Sequence, residues 1–286
     1  MQFVQTDIDR REWSALGRDQ FQREYALPLR PVVVTGGIDH WPAREKWTPD
    51  FFAQQHGSRV VVVDGQRWRL DDLIDQIRTS TPQRPAPYLR NQLLSKWAPE
   101  LLADVLPMPE CTRPNRLESR ALLAGRDLTF VELSIGGAGA SFPVLHYDNL
   151  HTHAFLMQLY GEKEYLALAP DQAEFLYPQE GIASNKSSVN DLEEPDLARF
   201  PLFDKAKGIS FRLRPGETLF VPAGWWHTAR ILSTSITVSI NGVGRANWPA
   251  FRKDLIVDMA ESSAWRAELL KPYLLALGAM FDLVGK

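Results

Sequence analysis

The sequence contains little cysteine, no long apolar run and almost no net charge. Its single cysteine, Cys111, excludes an internal disulfide and the cysteine-rich zinc modules, and it suits a reducing compartment. The formal net charge of -3 over 286 residues gives no global basic field for nucleic acid. Residues 1–7 lack the apolar run of a signal peptide, and no segment is long enough to span a bilayer. We therefore expect a cytoplasmic protein without membrane or obvious nucleic-acid partners.

The sequence does contain a His-x-Asp motif, His146-Tyr147-Asp148, and a second candidate ligand far downstream, His227. Two imidazoles and one carboxylate are the ligand set that holds Fe(II) on one face and leaves the opposite positions open. His146 and Asp148 are two residues apart, so on a β-strand both side chains would point to the same side. His227 would have to reach them from another strand. If the three side chains converge, the chemistry indicated is that of an oxygenase.

The residues before His227 predict one end of a small β-barrel. Pro215-Gly216 is typical of a tight turn, residues 219–222 are predicted to form a short buried strand, and Ala223-Gly224 forms a second turn. This order places His227 at the start of the next strand. Taken alone, His227 would also suit a core position bonded to backbone. Beside the first motif, the ligand interpretation is favoured.

From about Arg30 to Val243 the sequence resembles the JmjC hydroxylases, the Fe(II)/2-oxoglutarate oxygenases of the cupin superfamily, and especially their small hydroxylase branch. The pieces that carry the resemblance occur in order along the chain: the segment 30–37 with His40-Trp41-Pro42 and Trp47, Pro87-Tyr88-Leu89, His146-Tyr147-Asp148, Gly161-Glu162-Lys163, Trp225-Trp226-His227 and Asn241. The resemblance implies that His146, Asp148 and His227 bind the iron. It also implies a mainly β fold: a double-stranded β-helix (jelly-roll or cupin) barrel with flanking N-terminal helices and a C-terminal helical segment.

The resemblance also implies a cation for the distal carboxylate of 2-oxoglutarate. Lys163 occupies the family's position for that lysine, and a buried ammonium facing a carboxylate is a point-charge contact. A solvated lysine on a hairpin is the alternative. Tyr88 is expected to donate its hydroxyl to the same carboxylate, with a half-buried structural tyrosine as the alternative.

Polar and apolar residues alternate along the predicted last barrel strand, 235–241. Ser239 and Asn241 belong to the polar face, and such alternation indicates one face toward an apolar layer and one toward a polar interior or solvent. If the polar face lines the pocket, Asn241 is placed to hydrogen-bond the metal-proximal end of the co-substrate. A solvated face is the alternative.

The sequence departs from the family pattern at one position. Many relatives carry a threonine three residues before the first metal histidine, where this chain has Pro143. One hydrogen bond to the distal carboxylate is therefore missing or comes from elsewhere, with Ser141 and Thr152 as candidates.

His151 and His153 provide a competing ligand pair of the ordinary cupin type, which needs no keto acid. That pattern normally adds a glutamate a few residues later, where this chain has Gln158. The two imidazoles are therefore expected to line the substrate mouth or to lie on a surface connection.

The ligand set and the resemblance together favour hydroxylation of an unactivated C–H bond, with Fe(II), 2-oxoglutarate and O2. The carboxylate of Asp148 argues against halogenation, which needs that coordination position for a halide. A protein or peptide side chain is the favoured substrate, while a tRNA base and a small molecule remain open. The alternatives are a non-catalytic cupin-type binding module and a metallo-cupin that acts on a small molecule without 2-oxoglutarate.

Three segments are expected along the chain: N-terminal helical and strand elements packing on the barrel (1–110), the barrel core (111–246), and C-terminal helices (247–286). Predicted helices are 11–25, 49–55, 70–79 and 96–106; predicted strands include 31–35, a hairpin of 59–63 with 66–70, and 128–135 at the start of the barrel. The segment 175–207 is a long insertion, either a substrate lid or a structural Ω-loop.

The tail from Trp248 to Lys286 has apolar residues at helical spacing. Trp265, Leu269, Tyr273 and Phe281 belong to this stripe. Such a stripe is typical of a helix buried against its own domain, and near a chain end it also suits a dimer interface. We expect a homodimer.

Overall fold

The computed structural model describes residues 2–4, 8–123 and 130–285. Its strands are β1 (Gln2–Val4), β2 (Arg10–Glu12), β3 (Val32–Thr35), β4 (Val60–Val63), β5 (Gln66–Arg69), β6 (Leu89–Leu93), β7 (Glu132–Gly136), β8 (His153–Tyr160), β9 (Lys163–Leu168), β10 (Lys207–Leu213), β11 (Thr218–Val221), β12 (Trp226–Ile231) and β13 (Ser235–Gly242). Its α-helices are α1 (Trp13–Phe21), α2 (Ala43–Lys46), α3 (Pro49–His56), α4 (Leu70–Arg78), α5 (Leu94–Trp97), α6 (Arg120–Leu123), α7 (Trp248–Ser262) and α8 (Ala264–Leu283).

Two sheets form the barrel. The larger sheet has the order β2-β3-β11-β8-β13-β7-β6, and the smaller has the order β1-β10-β9-β12. The pairings are antiparallel, apart from β1 with β10 and β2 with β3. From β7 to β13 the chain crosses several times between the sheets, with β7, β8, β11 and β13 in the larger sheet and β9, β10 and β12 in the smaller. This arrangement and the matched family confirm the predicted cupin-like, mainly β fold.

Successive side chains along the strands of the larger sheet point alternately to a core covered by helices and to the interior of the barrel. On β7, Leu133 and Ile135 are fully buried in the core shared with the N-terminal helices. Their neighbours Glu132 and Ser134 line the interior cavity instead. One face of this sheet therefore stabilises the fold and the other carries polar groups into the barrel.

The N-terminal region confirms most of the predicted elements. α3 begins after Thr48, whose side chain accepts a hydrogen bond from the Phe51 N–H, and β4 and β5 form the hairpin around Asp64-Gly65. The first predicted helix is shorter as an α-helix and continues as a π-helical turn, Gln22–Ala26. Strands β2, β3 and β6 join the larger sheet, so this region contributes strands to the barrel in addition to packing on it.

The predicted single helix over 96–106 is wrong. The chain forms α5 and then a 3-10 helix, Pro99–Asp104. Pro99 has no N–H to donate, and it disfavours helical geometry at Ala98, which has φ -153° and ψ 69°. The expected barrel start at residues 128 and 129 lies outside the described residues.

The insertion 175–207 packs on the outside of the smaller sheet. Its residues Leu176, Phe200 and Phe203 are buried against β9 and β12. The Asn185 carbonyl accepts a hydrogen bond from the Tyr147 N–H, and the Ser187 N–H donates to the Leu145 carbonyl. None of its residues lines the interior cavity. The insertion therefore supports the metal-motif segment, as a structural loop would.

The C-terminal helices divide their apolar residues between the core and the surface. Leu274 and Phe281 are buried with Trp248, whereas Trp265 and Leu269 are 65% and 66% exposed. The predicted stripe is thus only partly buried against its own domain. In the described part of the chain, no helix has both the length and the apolar character needed to cross a membrane.

Candidate metal centre and co-substrate pocket

Three candidate metal ligands converge at one end of the barrel. His227 is the second residue of β12, and its N–H and carbonyl form two backbone hydrogen bonds with His146. His146 therefore lies in an isolated bridge beside β12 rather than in a regular strand, and Asp148 follows with extended backbone. One ligand atom from each side chain lies within 4.8 Å of the others. This separation fits a single divalent ion.

Hydrogen bonds orient both imidazoles toward that point. The Nδ1–H of His146 donates to the Val144 carbonyl and the Nδ1–H of His227 donates to the Trp225 carbonyl, both at 3.0 Å. Because a carbonyl can only accept, each Nδ1 carries the proton and each Nε2 keeps a free lone pair. The Nε2 of His227 lies 3.8 Å from the Asp148 carboxylate. Burial, followed by the neighbouring His227, lowers the pKa of His146 to about 4, so that imidazole is neutral at pH 7. The donor set fits Fe(II).

Aromatic rings hold the metal-motif segment in place. The Phe142 ring stacks on His146 with centroids 4.5 Å apart, and the Tyr147 ring packs edge-on against Trp226 at 5.0 Å. The Asn185 side chain donates to the Tyr147 carbonyl at 2.7 Å. These contacts reduce the freedom of the ligands before an ion binds.

A cavity of about 360 Å³ opens from the three ligands into the barrel. Lys163, the first residue of β9, lies on its wall with only 3% of its surface exposed. Its Nζ donates to the Tyr88 hydroxyl at 2.9 Å. Gly161 makes the preceding turn with a φ of 66°. The solvated-hairpin alternative for Lys163 is thus wrong. A buried ammonium beside a hydroxyl with a proton to donate suits a carboxylate ligand.

The polar face of β13 also lines this cavity. Thr237, Ser239 and Asn241 are on its wall, so the solvated-face alternative is wrong. The Asn241 side chain donates to the Thr152 hydroxyl at 2.9 Å. The protein therefore already orients the Asn241 side chain, and this contact does not use its amide oxygen.

The two candidates for the hydrogen bond missing at Pro143 lie in different places. Thr152 is on the cavity wall, where its hydroxyl donates to the Asn149 carbonyl. Ser141 is exposed and lines a separate groove on the outside of the barrel. Thr152 is thus the one of the two that the fold brings to the pocket.

His151 and His153 take no part in the cluster. His153 is buried, and its Nδ1 accepts a hydrogen bond from the Ala223 N–H at 3.0 Å. Burial lowers the pKa of His153 to about 3. The Nδ1 of His151 lies 2.5 Å from the Asp254 carboxylate on α7. Among the described residues, the one group of three or more close metal-ligating side chains is His146, Asp148 and His227.

Several cavity residues are not predicted from the sequence: Asn91, Phe130, Glu132, Ser134 and Phe142. Burial, with a smaller contribution from the Asp148 carboxylate, raises the pKa of Glu132 to about 7. The alternation in Glu132-Leu133-Ser134-Ile135 is a signal that points to an inward polar face, as it does on β13.

Comparisons with known proteins agree with this geometry. A model of the family described as the cupin-like domain matches residues 18–242. The chain is 31% identical over 231 residues to lysine-specific demethylase 8 of Xenopus tropicalis, covering 77% of this chain and 50% of that protein. It is 32% identical over 241 residues to lysine-specific demethylase JMJ30 of Arabidopsis thaliana (79% and 53% covered). It is 28% identical over 250 residues to the human tRNA wybutosine-synthesizing protein 5 (79% and 74% covered).

The matched region of the family model includes the strands of both barrel sheets from β7 to β13, the three candidate ligands, Tyr88 and Lys163. The chain spans about half the length of the first of these relatives. The chain belongs to the cupin-like domain family, of the JmjC type that the sequence motifs resemble.

Proposed function

We propose that this chain is an Fe(II)- and 2-oxoglutarate-dependent oxygenase that hydroxylates an unactivated C–H bond, on a protein or peptide side chain. One observation carries the proposal. The three ligand atoms within 4.8 Å of one another share a cavity with the buried pair of Lys163 and Tyr88. A metal site with open positions and a carboxylate site in one pocket together match the two ends of a keto acid.

Each residue has a distinct task in this proposal. His146, Asp148 and His227 would hold Fe(II), which with 2-oxoglutarate and O2 supplies the oxidation of the C–H bond. The Lys163 ammonium binds the distal carboxylate of 2-oxoglutarate by charge. The Tyr88 hydroxyl accepts from Lys163, so its own proton is free for the same carboxylate.

The remaining wall of the cavity would orient the co-substrate and exclude water. Ala154, Leu156 and Tyr165 give apolar surface, and the Phe142 ring covers one side of His146. Asn241, fixed by Thr152, offers its amide to polar atoms near the metal end. A low-dielectric wall strengthens each of these electrostatic contacts.

The choice of a protein or peptide as the substrate is based on two relatives that are named lysine-specific demethylases. The third relative is named for tRNA wybutosine synthesis. The formal net charge of -3 does not favour a nucleic-acid partner. A polypeptide side chain is therefore the preferred substrate class.

The test is succinate formation from 2-oxoglutarate by the purified chain. We expect it to require Fe(II) and to be lost in His146→Ala and in His227→Ala. His151→Ala is the matched control, because it removes an imidazole that is bonded to Asp254 and is outside the cluster. Turnover of 2-oxoglutarate that persists in both ligand variants would contradict the proposal.

We also infer that the chain forms a homodimer through α8. Besides Trp265 and Leu269, this helix exposes Leu275 and Leu283, at 57% and 87%. Exposed apolar side chains gathered on one helix are typical of an association surface. Leu269→Glu should shift the mass measured by sedimentation from dimer to monomer; a monomeric unmodified chain would refute the inference.

A further inference from the structure

Glu132 is a cavity residue for which the proposed chemistry has no use. It begins β7, and its side chain shares the inward face with Ser134, because the alternate residues Leu133 and Ile135 are fully buried in the core on the other side. It pairs with Ser239 of β13 and with Leu93 of β6. The carboxylate thus lies on the wall of the cavity that holds the three candidate metal ligands.

The Glu132 carboxylate has no partner among the described residues. It forms no ion pair or side-chain hydrogen bond there, although it is only partly exposed. The one Lys or Arg on the described cavity wall is Lys163, and its ammonium is bonded to Tyr88. The charged group that acts on Glu132 is Asp148, which has the same sign. A half-buried acid without a protein partner is unfavourable.

The charges of bound Fe(II) and 2-oxoglutarate would not compensate the negative charge of Glu132 either. Two positive charges of Fe(II) and one of Lys163 balance the single charge of Asp148 and the two of 2-oxoglutarate. The metal and co-substrate are therefore neutral together, and ionised Glu132 leaves one uncompensated negative charge facing the remaining volume. A cationic group entering that volume would supply the missing charge and the hydrogen-bond donors.

We propose that Glu132 binds an ammonium or guanidinium group of the substrate, and so selects lysine or arginine side chains for the reaction. The inference rests on the proposed function, since it places the substrate in the same cavity. The ring of Phe130, which lies two residues before Glu132 and lines the same cavity, is suited to contact the methylene stem of such a side chain. Glu132 is then a specificity-determining residue that touches substrate and not the metal.

The experiment measures peptide binding without turnover, in the presence of Mn(II) and 2-oxoglutarate and without oxygen. The probes are short, end-blocked glycine peptides with a central arginine or lysine, each paired with its neutral analogue, citrulline or norleucine. The unmodified chain should bind at least one cationic peptide about tenfold or more tightly than its neutral partner. Glu132→Gln should reduce that preference to less than about threefold. Glu132→Asp, which keeps the carboxylate, should still bind the cationic peptide more tightly than the neutral one.

Glu164→Gln is the matched control, because Glu164 lines the groove outside the barrel and pairs with Arg230. It should keep the full preference. Equal or undetectable binding of cationic and neutral peptides by the unmodified chain would overturn the inference, as would an unchanged preference in Glu132→Gln. Because the measurement needs no product, a failure of the hydroxylase proposal would appear separately, as absent succinate formation.

Discussion

Replacement of Lys163 by methionine tests the co-substrate site most sharply. The change removes the ammonium that lies buried 2.9 Å from the Tyr88 hydroxyl and keeps a side chain of similar length. The fold should survive, since an apolar residue is tolerated where a buried charge has been removed. A charge-assisted contact with a carboxylate is worth about 3 kcal/mol, so the half-saturating 2-oxoglutarate concentration should rise about 150-fold.

The assay is succinate formation at saturating iron over a range of 2-oxoglutarate concentrations. Tyr88→Phe removes a neutral hydrogen bond of about 1 kcal/mol and should raise the same parameter only about fivefold. Lys207→Met is the matched control, because it removes an exposed positive charge from the same sheet at a position away from the cavity. Unchanged 2-oxoglutarate saturation in Lys163→Met would refute the assignment of this lysine.

Three further substitutions test the surroundings of the site. Burial lowers the pKa of His153 to about 3, below the value of 6.5 expected in the unfolded chain. As the pH falls below 6.5, the unfolded chain therefore binds the proton before the folded chain does, and the folded state loses stability. His153→Asn should therefore remove about 2 kcal/mol of the difference in unfolding free energy between pH 7 and pH 5, measured in urea; an unchanged difference would contradict this. In Gly136→Ala the new Cβ would lie 2.6 Å from the Tyr88 ring, so the 2-oxoglutarate requirement should rise at least as much as in Tyr88→Phe, and normal saturation would show that the ring is not held there. The Gln158 amide donates to two carbonyls and to a hydroxyl, so Gln158→Glu should lower the unfolding free energy by about 3 kcal/mol, and a wild-type melting curve would count against this network.

The barrel fold was predictable from the family resemblance, and the candidate ligands were predictable also from short local signals. The two turns before His227 place it at a strand start, and the His-x-Asp spacing brings two ligands to one side of an extended segment. Lys163 and Tyr88 are far apart in the sequence and are recognised only by the family resemblance. The fold then joins them by a hydrogen bond.

Other features depend on tertiary contacts that periodicity does not reveal. Pro99 breaks a stretch that otherwise has helical spacing. The insertion supports Tyr147 through one backbone bond and one side-chain bond of Asn185, and both depend on how the insertion packs against the metal-motif segment. Local alternation indicates the inward direction of Glu132, but its position between β13 and β6 depends on pairing with strands that are distant in the sequence. Strand register and packing of this kind are determined by residues that are far apart in the sequence.

Anomalous diffraction from crystals grown with Mn(II) and an inert 2-oxoglutarate analogue tests the central claim most directly. We expect one manganese peak between the Nε2 atoms of His146 and His227 and the carboxylate of Asp148, with the analogue's distal carboxylate at Lys163. A manganese peak at His151 and Asp254, or no peak among the three ligands, would contradict it.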